Sequence, residues 1–254
     1  MLVDLLFDPF GGRWEDLRDA AVLAEESGFD GLWLYDHLAG SAHRAPDVLE
    51  CWTVLSALAS AVPQLAIGPL VLNVANRDPG TLAVMAATLQ EVSRGRLLLG
   101  IGAGGGVETP YAAEQAALGR PVRGDGARRA SVESTIATLR DVWSGTAGGV
   151  GGFLRPSPPP PVIVGGFGPK MAELAGRLGD GINAPSGPSL PRLLDVARRA
   201  HAAAGRDPDA FVVTTSGSPA DDRLAGLGVH RVITLVRPPY TDAVGHLARA
   251  IGQR

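Results

Sequence analysis

Residues 65–104 read LAIGPLVLNVANRDPGTLAVMAATLQEVSRGRLLLGIGAG, and the spacing of their apolar residues changes period twice. Leu65 to Asn73 and Arg96 to Gly102 are short apolar runs of strand length. Between them Leu82, Met85, Leu89 and Val92 recur at the interval that lines one face of a helix. A strand, a helix and a second strand in that order form a crossover unit, whose two strands lie parallel in one sheet. Both runs are apolar on both faces, as strands covered on either side should be.

The same alternation extends to both ends of the chain. The predicted strands are Leu2 to Phe7, Gly31 to Tyr35, Leu65 to Asn73, Arg96 to Gly102, Val162 to Gly165, Gly181 to Ala184, Phe211 to Ser216 and Arg231 to Val236. Helical stripes separate them. Trp14, Leu17, Ala21 and Ala24 form the first, with Gly28 as its stop. Val48, Trp52, Leu55, Ala59 and Val62 form the second, and Val132, Ile136, Leu139 and Trp143 the fourth. Later stripes start at Met171, Leu190 and Val244, while Pro219 to Leu227 has room only for a short helix. Eight such units in 254 residues predict a single (β/α)8 TIM barrel spanning residues 1–254, a fold that typically takes roughly 250 residues. Two connections are long. Ala103 to Gly126 reads as an irregular loop after a strand's C-terminal end, and Gly145 to Pro161 as a Gly/Pro-rich return ending in a stiff run of prolines.

Charge and composition narrow the function. With 23 basic against 26 acidic residues there is no broad basic face for nucleic acid or an anionic membrane. No run approaches the length of a bilayer span, and MLVDLLFDPF reads as a strand rather than a signal peptide. Cys51 is the single cysteine, which excludes an internal disulfide and fits a reducing, cytoplasmic setting. No HExxH-type spacing points to a metal site. A small-molecule substrate is the expected partner, with neither nucleic acid nor membrane.

In a TIM barrel the residues just after each strand converge on one mouth. Here they are Asp8, Asp36 with His37, Asn73, Gly104 to Glu108, Gly165 to Gly168, Ser186, Ser216 and Arg237. His37 is the candidate catalytic group because imidazole exchanges protons near neutral pH; its structural alternative is a hydrogen bond that fixes the loop. Asp36 either orients that ring or caps the loop, and successive residues of an extended chain point opposite ways. Gly100, Gly102 and Gly105 match GxGxxG, but no helix opens directly after them, so they read as a barrel loop allowing close approach to the backbone of Ala103 and Gly104. Gly165, Gly166, Phe167 and Gly168 make a better anion cradle, a glycine turn running into a helix at Pro169 with Lys170 beside it. A tight turn needing glycine is the structural alternative there.

The segments GFDGLWLYDH (28–37), ECWTVLSALASAV (50–62), 65–104, LRDVWSG (139–145) and PPPVIVGGFGPKMAELAGRLGDGIN (159–183) occur in an order that resembles the luciferase-like monooxygenase superfamily, and especially its branch using the deazaflavin coenzyme F420. The resemblance implies a cofactor ring in the barrel mouth, lying against a third-strand bulge at Leu70 and Val71 whose peptide is often cis. It also implies that Asp36 and His37 match the branch's Asp-His pair, with His37 near the ring's reactive carbon, and that the protein forms a homodimer. A carboxylate that some F420 enzymes carry after the fourth strand falls on Gly105 here, with Glu108 the nearest acid. The cofactor-contacting set is therefore Asp36, Leu70, Val71, Asn73, Ala103, Gly104, Gly165, Gly166, Phe167 and Gly168. The implied activity is F420-dependent hydride transfer to or from an organic small molecule. The alternatives are an FMN-dependent monooxygenase and a flavin-binding barrel without catalysis. Deazaflavin carries carbon where flavin has its oxygen-reactive nitrogen, and this favours hydride transfer.

Overall fold

The computed structural model of the chain describes residues 1–145 and 147–252. Its parallel strands are β1 Leu2–Phe7, β2 Gly31–Leu34, β3 Ala66–Pro69, β4 Leu72–Asn73, β5 Leu99–Gly102, β6 Val162–Gly165, β7 Gly181–Ala184, β8 Val212–Ser216 and β9 Arg231–Val236. They run in the order β3-β2-β1-β9-β8-β7-β6-β5-β4, so the two ends of the sheet are the two halves of the strand predicted at 65–73. β3 pairs with β2 and β4 with β5, and a parallel bridge between Ile67 and Leu97 closes the gap. The result is a TIM barrel with eight strand positions, the third interrupted at Leu70 and Val71. The Leu70–Val71 peptide is cis, and the Leu70 amide still donates to the Leu34 carbonyl at 2.7 Å.

Strand alternation sorts the side chains. Leu6, Trp33, Leu70, Ile163 and Ile233 fill the barrel interior, whereas Leu5, Phe7, Leu32, Leu34 and Ile67 pack outward against the helices. Inside the barrel, the buried Asp4 carboxylate accepts from Trp33 Nε1 at 2.7 Å and from Arg231 Nε at 2.6 Å. Counting on by twos along β2 from Trp33 reaches Tyr35 and His37, and counting from Leu34 reaches Asp36. His37 therefore belongs to the lumen side and Asp36 to the helix side.

The helices are α1 Trp14–Glu26, α2 Cys51–Ala61, α3 Pro79–Val92, α4 Tyr111–Ala117, α5 Asp125–Ser144, α6 Pro169–Leu178, α7 Leu190–Ala203, α8 Arg223–Gly226 and α9 Tyr240–Gly252. Their starts are set by local chemistry. Glu50 accepts from the amides of Trp52 and Thr53 to cap α2, and Asp78 accepts from Thr81 with Pro79 in the first turn of α3. Gly145, at φ 80°, ends α5 in the left-handed region.

Three sequence expectations change. Val48 is not helical but bridges Phe10 in a short antiparallel contact, because Glu50 caps the helix two residues later. Ala103 to Gly126 is not all irregular: it contains α4, and α5 already starts at Asp125. The strand predicted from Arg96 pairs regularly only from Leu99, since the Arg96 guanidinium turns back to carbonyls of Ala59 and Val62. No described helix is long and apolar enough to cross a membrane, and no group of three His, Cys, Asp or Glu suited to a metal occurs among the described residues.

Candidate active site

At the C-terminal mouth, His37 sits in an aromatic collar. Its ring centroid lies 5.3 Å from that of Phe10, 5.1 Å from Tyr111, 5.6 Å from His43 and 6.3 Å from Tyr35. Burial, and next the charge of Asp8, raise the Tyr35 pKa, so its phenol stays protonated and a donor at neutral pH.

The residue that braces His37 is Glu114, on α4. Glu114 Oε1 lies 3.1 Å from His37 Nδ1, while Oε2 accepts from the amides of Leu38 at 2.9 Å and Ala39 at 3.2 Å. Burial alone would raise the Glu114 pKa, but the His37 ring and these two amides together bring it below its ordinary value. An ionised carboxylate can only accept, so Nδ1 carries the hydrogen and Nε2 is left for a reacting group. Sequence reasoning missed Glu114 because α4 has no apolar stripe: its buried side chains include Glu114 and Gln115. The acid that meets His37 is thus Glu114, from the helix that follows the fourth strand position.

Asp36 does not meet His37. Its fully buried carboxylate is engaged by Arg77, with Nη1 and Nη2 each at 2.8 Å, and by the Asn73 amide at 2.9 Å. Arg77 also reaches Glu50 at 2.6 Å. Burial would lower the Arg77 pKa, but hydrogen bonding to Asp36 reverses this and raises it. The cluster ties β2 and β4 to the start of α2, so Asp36 anchors the loop and its carboxylate faces away from the lumen. Burial pushes the neighbouring Cys51 thiol well above its ordinary range, which leaves it unreactive.

The bulge explains the glycines. A Cβ on Gly102 would lie 2.5 Å from Val71 Cγ2 and one on Gly165 2.8 Å from the same atom, while one on Gly100 would strike the Pro69 carbonyl at 2.1 Å. Gly100 and Gly102 of β5 and Gly165 of β6 leave their inward positions without a side chain, and Val71 enters the barrel there, beneath the mouth. Asn73 accepts from Ala75 through Oδ1 and donates to Gln115 at 3.3 Å, and it packs against Gly104, where a Cβ would come within 2.4 Å of it. The Ala103 carbonyl accepts from Arg128 at 3.2 Å.

Across the mouth, the turn at Gly165–Gly168 opens into α6. Gly166 is small because a Cβ there would lie 2.7 Å from Met171 Cβ, whereas a Cβ on Gly168 would meet nothing within 4 Å. Among the described residues, the amides of Phe167, Gly168 and Lys170 have no acceptor, and Phe167 is 90% exposed. An open glycine cradle with unpaired amides at a ten-residue helix's N-terminus suits a phosphate. Together with the bulge floor and the collar, the described residues fit a flat ring carrying a phosphate tail.

A family model described as luciferase-like monooxygenase matches residues 7–223. An F420-dependent glucose-6-phosphate dehydrogenase of Beutenbergia cavernae is 32% identical over 183 residues, covering 68% of this chain and 53% of its own length. A 5,10-methylenetetrahydromethanopterin reductase of Archaeoglobus fulgidus is 29% identical over 228 residues, covering 83% and 62%. The chain thus spans less than two thirds of either relative. Among solved structures, an F420-dependent secondary alcohol dehydrogenase in complex with an F420-acetone adduct superposes with a TM-score of 0.83 at 17% identity, covering 99% of this chain and 98% of that one. At that identity the likeness carries the fold alone.

Proposed function

Because the chain belongs to the luciferase-like monooxygenase family, we propose that it is an F420-dependent oxidoreductase moving a hydride between the deazaflavin and an organic small molecule. The observation that carries this reading is His37, three residues beyond β2 at the barrel mouth, with its Nδ1 on Glu114. The F420-dependent names of its relatives support the choice of deazaflavin over FMN.

Leu70 and Val71 would support the ring, with Ala103 and Gly104 at its edge and Asn73 as a polar neighbour. Gly165, Gly166, Phe167 and Gly168 would hold the tail's phosphate. When bound, the deazaflavin supplies a carbon that accepts or returns a hydride. His37 does the matching proton work. As a carbon of the substrate gives up hydride, Nε2 takes the proton of its hydroxyl, and in the reverse direction returns it. Glu114 keeps Nδ1 protonated and stabilises the imidazolium formed. The aromatic collar limits water around the exchanging proton. Asp36 acts through Arg77 and the Asn73 amide, holding the segment that carries His37.

The cradle assignment is tested by Gly168→Asp. Asp is a favourable residue at a helix start, so thermal stability should hold or rise. Its charge opposes a phosphate, so F420 affinity measured by fluorescence quenching should fall about tenfold or more, the value of one lost charge-assisted hydrogen bond. Unchanged affinity in the folded variant would move the phosphate elsewhere. We further propose a cytoplasmic homodimer; sedimentation at the mass of one chain would contradict the pairing.

A further inference from the structure

Outside the lumen, a second cleft of about 440 Å3 opens on the helix side of β4 and β5. The turn after β4, the α4–α5 connection and α5 enclose it. Its charged lining consists of Arg77, Arg120, Arg123, Arg128 and Asp78. Asp36 and Glu50 neutralise Arg77, and Asp125 pairs with Arg128 at 2.8 Å. Asp78 is taken up by the Thr81 amide. Among the described residues, Arg120 and Arg123 have no carboxylate partner.

Two side-chain nitrogens of residues that line this cleft, Asn76 Nδ2 and Arg128 Nε, are buried and have no hydrogen-bond partner among the described residues. Asn76 is only 6% exposed, and its amide orientation is set by Arg120, which donates to Oδ1 at 3.3 Å. An unpaired buried donor is costly, and two in one cavity beside two unneutralised guanidinium groups mark a place built for an acceptor with negative charge.

The geometry points to an anion subsite in this cleft, taking a phosphate or carboxylate group through Asn76 Nδ2, Arg128 Nε, Arg120 and Arg123. The Arg128 guanidinium also donates to the carbonyls of Ala103 and Gly104, so an anion held there would fix the loop that follows β5 at the mouth. The anion has two chemical sources, a charged group of the substrate or a carboxylate of the cofactor tail beyond its phosphate. The second rests on the proposed function; the subsite itself does not.

The test uses Gly168→Asp protein, in which the other anion cradle is blocked, titrated calorimetrically at low salt with inorganic phosphate and separately with glutarate. One saturable site is expected, weakened about tenfold or more when Arg120→Met and Arg123→Met are added. Asn76→Asp, which places a carboxylate opposite Arg120, should weaken binding similarly without lowering the melting temperature. Absence of saturable heat, or equal affinity in both variants, overturns the subsite. Repeating the titration on wild-type protein loaded with F420 or with its tail-less chromophore assigns the source. Loss of this site only with intact F420 identifies the tail, and binding that survives F420 identifies the substrate. A protein that binds phosphate in this cleft but no F420 would refute the cofactor reading while upholding the subsite.

Discussion

Replacing His37 by alanine is expected to lower the rate of hydride transfer by roughly 100- to 10,000-fold, the usual contribution of a positioned acid or base. F420 affinity should change little, because the ring and phosphate contacts proposed above come from other strands. Stopped-flow loss of deazaflavin absorbance measures the first quantity and fluorescence quenching the second; a full-rate His37→Ala enzyme would remove His37 from the chemistry. Glu114→Gln is a graded companion. It keeps the shape and loses the charge that orients Nδ1, so turnover should fall about ten- to a hundredfold. The Glu114 pKa is held below its ordinary value, so the brace is intact above that value and is lost as pH falls through the lower, folded-state value. In Glu114→Gln that acid limb of the rate profile should disappear.

The largest stability loss is expected from Asp36→Ala. It leaves Arg77, whose side chain is 11% exposed, with only the more exposed Glu50 as a charged partner, and leaves the buried Asn73 amide without its acceptor. Breaking one partner from a buried ion pair costs roughly 3–5 kcal/mol. In a domain of this size that lowers the melting temperature by roughly 10 °C. Asp36→Leu combined with Arg77→Met should recover a substantial part, since removing both charges leaves neither one unpaired. A melting temperature within a degree or two of wild type for Asp36→Ala would show that the cluster does not hold the β2 and β4 ends together.

The barrel was legible because its strands are short, apolar on both faces and separated by helix-period runs; all eight predicted strand positions are occupied. The split of the third was not readable from periodicity, since Leu65 to Leu72 carries no polar side chain and a bulge leaves no polar mark. Alternation along β2 does distinguish His37 from Asp36, and the lumen and helix sides follow it. The partner of Asp36 was hidden because Arg77 lies 41 residues away in a turn whose reach depends on the bulge. α4 was hidden for a different reason. Its buried face presents Glu114 and Gln115 to the mouth, and a helix that buries polar groups lacks the apolar stripe by which helices are recognised. The glycines of β5 resembled a dinucleotide turn, whereas the space they leave is filled by Val71 from within the chain.

The proposed occupant of this mouth is a deazaflavin, used for hydride transfer. The most direct measurement is a paired titration of the purified wild-type protein with F420 and with FMN, each followed by its own fluorescence. Saturable quenching of F420, with FMN bound more weakly, is the predicted result. Tight binding of FMN with no response to F420 would contradict it.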